Sequence, residues 1–251
     1  MTLSLFSLEG RTALVTGSSK GIGFALARGL GRAGARIVLN GRDPATLSGA
    51  AGVLRGEGID CGECVFDVTD SPSVDEGIDR IERGTGPIDI LVNNAGMQRR
   101  APLEDFPESD WRALMSTNVD SVFYVSKAVA KHMIPRGRGK IINICSVQSE
   151  LGRPMVAPYA TTKGALKMLT KGMCIDWAPH GIQVNGIGPG YFRTELTDAL
   201  VKDATFNDWL VNRTPARRWG DVEELAGATV YLASDASSFM TGQGRAPLIP
   251  P

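Results

Sequence analysis

Tyr159 and Lys163 lie four residues apart in the stretch APYATTKGA, immediately behind Pro158. Because proline suits the first turn of a helix, we expect both side chains on one helix face, separated by about 6 Å along the axis. A phenol loses its proton near pH 10, so acid–base work at neutral pH needs about 4 kcal/mol of extra stabilisation of the phenolate. A nearby ammonium group supplies part of that stabilisation. The spacing therefore predicts that the lysine alters the chemistry of the tyrosine hydroxyl, and the alternative is a solvated helix face.

Two further polar residues occupy positions that a ligand could reach. Ser146 follows the predicted strand KIINIC, and ligands of open α/β sheets bind beyond the carboxyl ends of the strands. Asn118 stands inside the apolar helical stretch STNVDSVFYVSKAVA, where a lone asparagine is usually a satisfied core group. Neither residue establishes a site when it is taken singly.

A glycine-rich turn is predicted between the first strand and the first long helix. The stretch TALVTGSSKGIGFALARGL places Gly17, Gly21 and Gly23 there. Glycine allows a tight turn and close approach of the backbone to a diphosphate, and a helix N-terminus adds unpaired N–H groups and a positive dipole. The spacing is one residue longer than G-x-G-x-x-G, and no G-K-[ST] follows. The turn therefore predicts dinucleotide binding and not a P-loop.

The end of the second strand indicates which dinucleotide is bound. A carboxylate at this position would hold the ribose 2′-hydroxyl of NAD(H) and repel a 2′-phosphate. The sequence instead has the neutral Asn40, followed by Arg42, with Lys20 in the glycine-rich turn. Because arginine pairs well with phosphate, NADP(H) is predicted in preference to NAD(H). The alternative is that Arg42 and Lys20 are solvated loop charges.

The elements that must position these residues alternate along the chain. Six strands are predicted at TALVT (12–16), RIVLN (36–40), CVFDV (64–68), IDILVN (88–93), KIINIC (140–145) and IQVNGIG (182–188). Their continuous apolar character is typical of a parallel sheet that is covered on both faces. Amphipathic helical stretches lie between them, which predicts a single α/β domain with a doubly wound sheet. Residues 190–218 interrupt the alternation and are predicted to form a lid.

The composition limits the class of protein. The 251 residues are 43% hydrophobic, and 27 basic side chains balance 27 acidic ones. This neutrality argues against a nucleic-acid binder, which needs a basic excess. No apolar run is long enough to cross a bilayer, and the N-terminal stretch MTLSLFSLEGRTALV lacks the features of a secretory signal. We therefore expect a cytoplasmic protein that binds neither nucleic acid nor membrane.

The cysteines favour a reduced chain without a metal site. Cys61 and Cys64 form one C-x-x-C pair, but no second pair follows and the sequence has only two histidines. Structural zinc needs four ligands, so no zinc is expected. Cys64 and Cys145 fall in apolar, strand-like runs and are predicted to be small core residues. This cysteine usage fits the cytoplasm.

Taken together, these motifs resemble the short-chain dehydrogenase/reductase family over about residues 7–243. The matching features are TGSSKGIG (16–23), Asp67 with Val68, NNAG (93–96), PGYFRT (189–194) and a tetrad of Asn118, Ser146, Tyr159 and Lys163. The resemblance implies a Rossmann-like fold in which about 1–150 hold the cofactor and about 151–243 carry the substrate and catalytic groups. It also implies a homotetramer built on the helices near 107–134 and 158–177.

The resemblance implies a role for each member of the tetrad. Tyr159 exchanges a proton with the substrate oxygen, and Lys163 holds the nicotinamide ribose and favours the phenolate. Ser146 hydrogen-bonds the reacting oxygen, and Asn118 supports a water-mediated proton relay. Hydride passes directly between the cofactor and the substrate carbon, so no metal is expected.

The residues implied to contact NADP(H) come mainly from segments that follow strands. They are Gly17, Ser19, Lys20, Gly21, Ile22, Gly23, Asn40, Arg42, Asp67, Val68, Asn94, Ala95, Gly96, Tyr159, Lys163, Pro189, Gly190 and Thr194. The adenine ring is assigned to the Asp67–Val68 pair and the nicotinamide to the segment 189–194.

A narrower resemblance, to the family members that interconvert D-gluconate and 5-keto-D-gluconate, is carried by the stretches NNAGMQRRAPLEDFPESDW, INICSVQSELGRP, KGMCIDWAPHGIQVNGIGPGYFRTEL and TPARRWGDVEEL. Arg99 and Arg100 lie in the loop after the fourth strand, where arginine suits a sugar-acid carboxylate, and one of the two is expected to reach the substrate; for either one, an interface or a surface salt bridge is an equal alternative. Gln148 is expected to bind sugar hydroxyls, beside Ser146 and Tyr159. Two other functions stay open: a 3-oxoacyl thioester reductase, and a non-catalytic dinucleotide-binding protein.

The last residues depart from the family pattern. Where relatives continue into an apolar strand ending in V-D-G-G, this chain reads GRAPLIPP (244–251), with three prolines between 247 and 251. Proline cannot donate to a strand ladder, so a regular interior strand is doubtful there. A shifted reading frame or an altered clone is one hypothesis for this tail, and resequencing close relatives tests it.

Overall fold

A seven-stranded parallel β-sheet runs through the centre of the computed structural model, which describes residues 4–242 and 244–245. The strands are β1 (Thr12–Val15), β2 (Arg36–Gly41), β3 (Cys61–Val65), β4 (Ile88–Asn93), β5 (Gly139–Ile144), β6 (Ile182–Ile187) and β7 (Gly244–Arg245). Their order across the sheet is β3-β2-β1-β4-β5-β6-β7. This is the predicted doubly wound arrangement, with its reversal between β1 and β4.

Helices connect the strands and cover both faces of the sheet. In the described part of the chain they are α1 (Gly21–Arg32), α2 (Pro44–Gly56), α3 (Ser71–Gly84), α4 (Glu108–Met115), α5 (Ser121–Arg136), α6 (Ala157–Trp177), α7 (Asp198–Lys202), α8 (Ala204–Arg213) and α9 (Ala226–Ala233). A short π-helix, Ser116–Asp120, joins α4 to α5. None of these helices has the length and apolar character that crossing a membrane requires.

The two faces of the sheet carry separate hydrophobic cores. Ala13 and Val15 pack with α1, α2 and α9, whereas Leu14 packs with α3, α5 and α6. Successive residues of a strand point to opposite faces, so a strand buried on both sides must be apolar at every position. All six residues of β4 and of β5 are buried, which explains why the sequence predicts these strands so directly.

The third strand lies three residues earlier than the sequence pattern predicts. It spans Cys61–Val65, and not 64–68, and pairs with β2 from Ile37 to Gly41. It lies at one edge of the sheet, and its burial varies along the strand, with Glu63 exposed and Cys61 and Cys64 buried. A search for a continuous apolar run misses such a strand because only one face of it is fully covered.

The strand that the tail made doubtful is present as a two-residue pairing. Gly186 of β6 lies opposite Gly244, and Ile187 lies opposite Arg245. These two positions precede the prolines and keep their backbone amides, so the rule against proline in a ladder does not apply to them. The prolines at 247, 250 and 251 lie outside the described residues.

Candidate active site

A cleft of about 1240 Å³ lies at the carboxyl ends of the strands. Its walls are the segments that leave β1 to β6, so residues that are distant in the sequence meet there. Every residue predicted to contact the cofactor lines the cleft, as does every substrate candidate. Of the tetrad, Ser146, Tyr159 and Lys163 line it, whereas Asn118 is not part of its wall.

The glycine-rich turn approaches the neighbouring β4 segment too closely for side chains. Gly17 has φ +58°, and a Cβ there would stand 2.8 Å from the Cα of Ala95. A Cβ on Gly23 would stand 2.4 Å from Nδ2 of Asn94 and 2.5 Å from the carbonyl oxygen of Gly17. Contacts this short do not occur in proteins, so glycine is required at both positions. The turn thereby brings the start of α1 against the end of β4.

Thr16 and Asn94 hold this turn in place. The sequence pattern assigns no role to Thr16 and predicts only a cofactor contact for Asn94. The Oγ1 of Thr16 accepts hydrogen bonds from the backbone N–H groups of Asn94 (3.0 Å) and Ala95 (3.1 Å). The Nδ2 of Asn94 donates to the carbonyl oxygens of Thr16 and Gly17 at 3.0 and 2.9 Å. A threonine at the end of a buried strand is the only sequence signal for this role. The side chain of Asn94 therefore positions the turn.

At the end of β2, Arg42 and Asn40 both border the cleft, but the side chain of Arg42 is exposed and that of Asn40 is buried. Asn40 is buried, and its Nδ2 donates to the carbonyl oxygens of Cys64 and Phe66, both at 3.1 Å. This amide joins β2 to the end of β3. The Arg42 side chain is 79% exposed and lies 3.8 Å from Oδ2 of Asp67. A cation is thus placed where the sequence predicts a 2′-phosphate.

Asp67 is held in its ionised form at the end of β3. Its Oδ1 accepts hydrogen bonds from the backbone N–H and the hydroxyl of Thr69, at 2.9 and 2.8 Å. Partial burial raises the pKa of Asp67, but the bonds from Thr69 and the charge of Arg42 outweigh burial and hold this pKa below its usual range. The carboxylate is therefore a fixed negative group beside Arg42.

The pair Tyr159 and Lys163 lies in the first turns of α6, as predicted. The helix begins at Ala157, and Pro158 occupies its first turn. The Lys163 side chain is buried, its Nζ donates to the carbonyl oxygen of Ile144 at 2.7 Å, and it lies 5.8 Å from the centre of the Tyr159 ring. The ammonium group is thus fixed between the end of β5 and the phenol.

Ser146 caps a single turn of 3₁₀-helix that leaves β5. Its Oγ accepts a hydrogen bond from the backbone N–H of Gln148 at 3.1 Å, and its own N–H donates to Oγ of Ser149. The hydroxyl hydrogen is not used by this cap, so it can be directed at a ligand oxygen. The residue is nearly buried and lines the same cleft as Tyr159.

Asn118 lies behind the cleft wall, in the π-helix between α4 and α5. It is buried, and its Oδ1 accepts from the N–H of Met97 at 2.8 Å. Its Nδ2 donates to the carbonyl oxygen of Met97 and to Oγ1 of Thr162, both at 3.0 Å. Single π turns within helices often mark functional sites. Here the turn directs an amide that fastens the segment after β4 to α6.

A buried polar network, which we call the Asn93–Asn143 network, joins the ends of β4 and β5 to the helices behind them. The Nδ2 of Asn93 donates to Oγ of Ser126 on α5 and to Oδ1 of Asn143, both at 2.8 Å. The Nδ2 of Asn143 donates to Oγ1 of Thr170 on α6 at 2.9 Å. All four side chains are buried. The network fixes β5, which Ser146 follows, against β4 and against α6, which carries Tyr159 and Lys163.

Part of the predicted lid forms one wall of the cleft. Tyr191 lines the cleft and packs edge-on against Phe206 of α8 and Trp219, with ring centres 5.7 and 5.9 Å apart. Glu195 reaches across to form an ion pair with Lys20 of the glycine-rich turn. The segment is therefore fastened at both sides of the cleft. Its movement stays a prediction.

The substrate end of the cleft contains several cations with different surroundings. Arg99 forms an ion pair with Asp110 at 3.7 Å, as expected for a surface salt bridge. Arg100 donates instead to Oε1 of Gln98 at 3.0 Å. Arg153, which the sequence analysis did not select, also lines the cleft. Its only sequence signal is its position five residues after Gln148 in the same loop.

The metal-ligand residue types are dispersed. Within residues 4–242 and 244–245, no group of three or more histidine, cysteine, aspartate or glutamate side chains could hold a metal ion. Cys64 and Cys145 are buried in one core, as predicted, and Cys61 of β3 is buried in the core on the opposite face of the sheet. The C-x-x-C pair is therefore part of the packing of β3.

Both the sequence and the fold have close counterparts among known proteins. The short chain dehydrogenase family profile matches residues 11–205. A gluconate 5-dehydrogenase of Gluconobacter oxydans (strain 621H) is 63% identical over 239 residues, which cover 95% of this chain and 93% of that protein. A 5-keto-D-gluconate 5-reductase of Escherichia coli (strain K12) is 54% identical over 238 residues, or 95% of this chain and 94% of that protein.

A solved structure matches the whole arrangement of elements. It is a gluconate 5-dehydrogenase from Burkholderia cenocepacia J2315 in complex with NADP and tartrate. The two folds superpose with a TM-score of 0.96 at 59% sequence identity, covering 98% of this chain and 97% of that one.

Proposed function

The chain belongs to the short-chain dehydrogenase family, and on that premise we propose that it interconverts D-gluconate and 5-keto-D-gluconate with NADP(H) as cofactor. One observation carries the proposal. Ser146, Tyr159 and Lys163 meet beside the glycine-rich turn in one cleft, in a chain 63% and 54% identical to enzymes named for this reaction.

The residues of the glycine-rich turn fit the diphosphate of a dinucleotide. The helix α1 begins at Gly21, and its N-cap residue, Lys20, makes no side-chain cap, so the first amides of the helix are free to bind an anion. A Cβ on Gly21 would meet no atom within 4 Å, so the backbone faces open space there. Arg42 supplies the charge that suits a 2′-phosphate. NADP in the Burkholderia cenocepacia relative supports the same cofactor here.

Proton transfer in the proposed reaction belongs to Tyr159. When bound, the reduced cofactor supplies a hydride to the carbonyl carbon of the keto acid. The Tyr159 hydroxyl donates its proton to the oxygen of that carbonyl, and takes it back in the direction of gluconate oxidation. Ser146 donates a hydrogen bond to the same oxygen and fixes its position. The Lys163 ammonium favours the phenolate that remains after the transfer.

Asn118 acts in this scheme through its neighbours. Both ends of its amide are engaged by Met97 and Thr162, which supports a positioning role. Met97 precedes the segment that carries Arg99 and Arg100, and Thr162 lies in the turn of α6 between Tyr159 and Lys163. Participation of Asn118 in a water-mediated proton relay stays a prediction.

The alternative functions are less well supported. A 3-oxoacyl thioester reductase needs an apolar path for an acyl chain, whereas Arg100, Arg153 and Gln148 line the substrate end here. A non-catalytic dinucleotide-binding protein has no need for a tyrosine, a serine and a fixed lysine at the same point. Two relatives that match 95% of this chain, at 63% and 54% identity, are named for oxidoreduction of gluconate or of its 5-keto form.

The test follows the absorbance of NADPH, and separately of NADH, with purified protein and 5-keto-D-gluconate. We expect rapid loss of the NADPH signal and slow loss with NADH. A Tyr159→Phe variant should lose at least about 100-fold in turnover because general acid catalysis contributes about that much. Its affinity for NADPH, measured by fluorescence titration, should stay close to that of the wild type. Wild-type protein that binds NADPH but leaves 5-keto-D-gluconate unreduced contradicts the assigned substrate.

We also propose that four copies assemble through the outer faces of α5 and α6. Phe123 on α5 and Met168 and Ile175 on α6 are 46%, 61% and 75% exposed in the single chain, which is costly for apolar side chains. Light scattering should give four times the chain mass of 26.7 kDa. An Ile175→Lys variant should give smaller species, whereas Val53→Lys, at an exposed site on α2, should leave the assembly intact. A monomeric wild type contradicts the proposal.

We place the enzyme in the cytoplasm. All four cysteines are free in the structure, and three of them are buried, which suits a reducing compartment. Immunoblotting of cell fractions tests this location, and recovery from the periplasm or the culture medium contradicts it.

A further inference from the structure

The Arg153 guanidinium is held by aromatic rings at the substrate end of the cleft. Its Cζ lies 5.1 Å from the centre of the Phe206 ring and 6.0 Å from that of Tyr191. Both rings belong to the segment 190–218 that is predicted to form the lid, and Phe206 lies on α8 within it. Stacking on aromatic faces restricts the orientation of a guanidinium without neutralising its charge. Arg153 is therefore an oriented cation in the wall of the cleft.

Arg153 has no acidic partner in the described part of the chain. Its Nε is buried and makes no hydrogen bond there. The Oε1 of Gln148, five residues earlier in the same loop, is likewise buried without a partner. A buried polar atom without a partner costs about 1–3 kcal/mol, so such atoms usually mark a site that a ligand completes.

Other cations of the cleft already have partners. Lys20 pairs with Glu195, Arg42 with Asp67 and Arg99 with Asp110. Lys163 donates to the carbonyl oxygen of Ile144. Within the described residues, Arg100 and Arg153 are the cleft-lining arginines that no carboxylate approaches within 4 Å.

Arg100 and Arg153 are close enough to influence each other and the catalytic end of the cleft. Loss of hydration, followed by the positive charge of Arg153, lowers the pKa of Arg100, whereas Tyr191 and Tyr159 act on it in the opposite direction. Burial raises the pKa of Tyr191, and the charges of Arg153 and Arg100 oppose that rise. Two guanidinium groups thus share one region with Tyr159.

We infer that Arg153 and Arg100 together bind the carboxylate of the substrate and that Arg153 restricts the enzyme to anionic substrates. The inference rests on the proposed function, because it assigns the acidic end of the sugar acid to this pair. A guanidinium binds a carboxylate through two parallel N–H···O bonds, and a second guanidinium completes the neutralisation. The hydroxyl chain then lies beside Gln148, whose Oε1 accepts from a substrate hydroxyl.

The activity test compares an anionic with a neutral substrate. L-Sorbose keeps the hydroxymethyl ketone and the hydroxyl chain of 5-keto-D-gluconate but carries a hydroxymethyl group in place of the carboxylate. An Arg153→Met variant should lose about 10- to 100-fold in kcat/KM for 5-keto-D-gluconate, mainly through KM, and little for L-sorbose. Arg153→Lys should restore part of the loss, and Arg112→Met, at an exposed site on α4, should change neither value.

A binding test separates this inference from the proposed function. The protein loaded with NADPH is titrated with D-gluconate, a pair that cannot react with each other, and tryptophan fluorescence is followed. Binding by the wild type that weakens at least about tenfold in Arg153→Met supports the carboxylate site, even if the wild type fails to reduce 5-keto-D-gluconate. Equal affinity of the two proteins, or no binding of D-gluconate by the wild type, overturns it. An equal loss of kcat/KM for both substrates also overturns it, because a merely structural role predicts that result.

Discussion

At the scale of single residues, the site depends on side chains whose polar groups are already engaged by the protein. Asn118 uses both ends of its amide to fasten Met97 to α6, and Asn40 uses its amide to fasten β2 to β3. Neither side chain is free to turn towards a ligand. Such residues shape the cleft from behind, and the side chains that face it are held in place by them.

Asn118→Ala should therefore affect both stability and activity. The change leaves the N–H and the carbonyl oxygen of Met97 without partners, so the free energy of unfolding should fall by about 1–3 kcal/mol. Turnover of 5-keto-D-gluconate should fall as well, because the segment after Met97 carries Arg100. Urea denaturation and the NADPH assay measure the two effects. Thr162→Val removes one of the three bonds, together with the bond from its own hydroxyl to the carbonyl oxygen of Tyr159, and leaves both bonds to Met97 intact, so it should cost less; a larger cost for Thr162→Val contradicts this account.

Arg42→Ala should weaken NADPH selectively. Removing one charged contact to a 2′-phosphate costs about 1.4 kcal/mol or more, so the KM for NADPH should rise about tenfold. The KM for NADH should change little because NADH has no such phosphate. Arg36→Ala is the matched control, since Arg36 is an exposed arginine at the start of β2, the strand that Arg42 follows, and it pairs with Asp60. An equal rise in KM for the two cofactors would show that Arg42 does not bind the 2′-phosphate.

At the scale of elements, the glycine-rich turn and α1 form a unit whose geometry depends on missing side chains. A methyl group on Gly23 has no space between Asn94 and the turn, although its backbone angles are helical. A methyl group on Gly21 has space, but φ is +59° there, which costs about 1 kcal/mol for alanine. The two positions need glycine for different reasons.

Gly23→Ala should accordingly be more damaging than Gly21→Ala. We expect Gly23→Ala to lower NADPH affinity at least about tenfold and to lower the melting temperature, because Asn94 must move to admit the methyl group. Gly49→Ala, at an exposed position of α2 with no neighbour within 4 Å, should stabilise the protein by about 0.4–1 kcal/mol. Fluorescence titration and thermal unfolding measure these effects. A Gly23→Ala variant that binds NADPH normally contradicts the packing argument.

The sequence best predicts those elements that have the same surroundings on both faces. It predicts β4 to the residue because both faces of that strand are buried, and it predicts the start of α6 from Pro158. It places β3 three residues late because an edge strand has no continuous apolar run. Arg153 is not recognisable from local pattern, since its setting is created by Phe206, more than fifty residues further along the chain. Contacts between distant loops are what a local pattern does not contain.

At the scale of the whole molecule, the two ends of the sheet differ in electrostatic character. The amino ends of the strands border a second cavity, of about 360 Å³, in which Arg11 and Arg138 are paired with Asp235 and Asp89. Lys140 lies there too and is buried, and among residues 4–242 and 244–245 its Nζ donates to Oγ of Ser237 and meets no carboxylate within 4 Å. Burial, assisted by Arg11, lowers the pKa of Lys140 from 10.5 to about 8.

The buried lysine gives stability a defined pH dependence. Between pH 8 and 10.5 the unfolded chain binds more protons at Lys140 than the folded chain, so this lysine makes the free energy of unfolding rise with pH in that window. The free energy of unfolding should rise by on the order of 2 kcal/mol, and this rise should be absent in Lys140→Met. Burial also raises the pKa of Cys61 to about 11, which acts in the opposite direction above pH 9 but equally in both proteins. Urea denaturation of the wild type and of Lys140→Met from pH 7.5 to 10 gives the difference between their free energies of unfolding. A difference that stays constant across this pH range contradicts the assignment to Lys140.

The Asn93–Asn143 network makes the two halves of the chain hard to exchange. Asn93, Ser126 and Asn143 belong to the half assigned to the cofactor, whereas Thr170 belongs to the half assigned to the substrate. A fragment ending near residue 150 would leave Nδ2 of Asn143 without its acceptor, at a cost of about 1–3 kcal/mol. Neither half can therefore be transferred to another protein as an independent unit. A chimera that keeps this cofactor half needs an incoming helix with a hydroxyl, or another acceptor, at the position of Thr170.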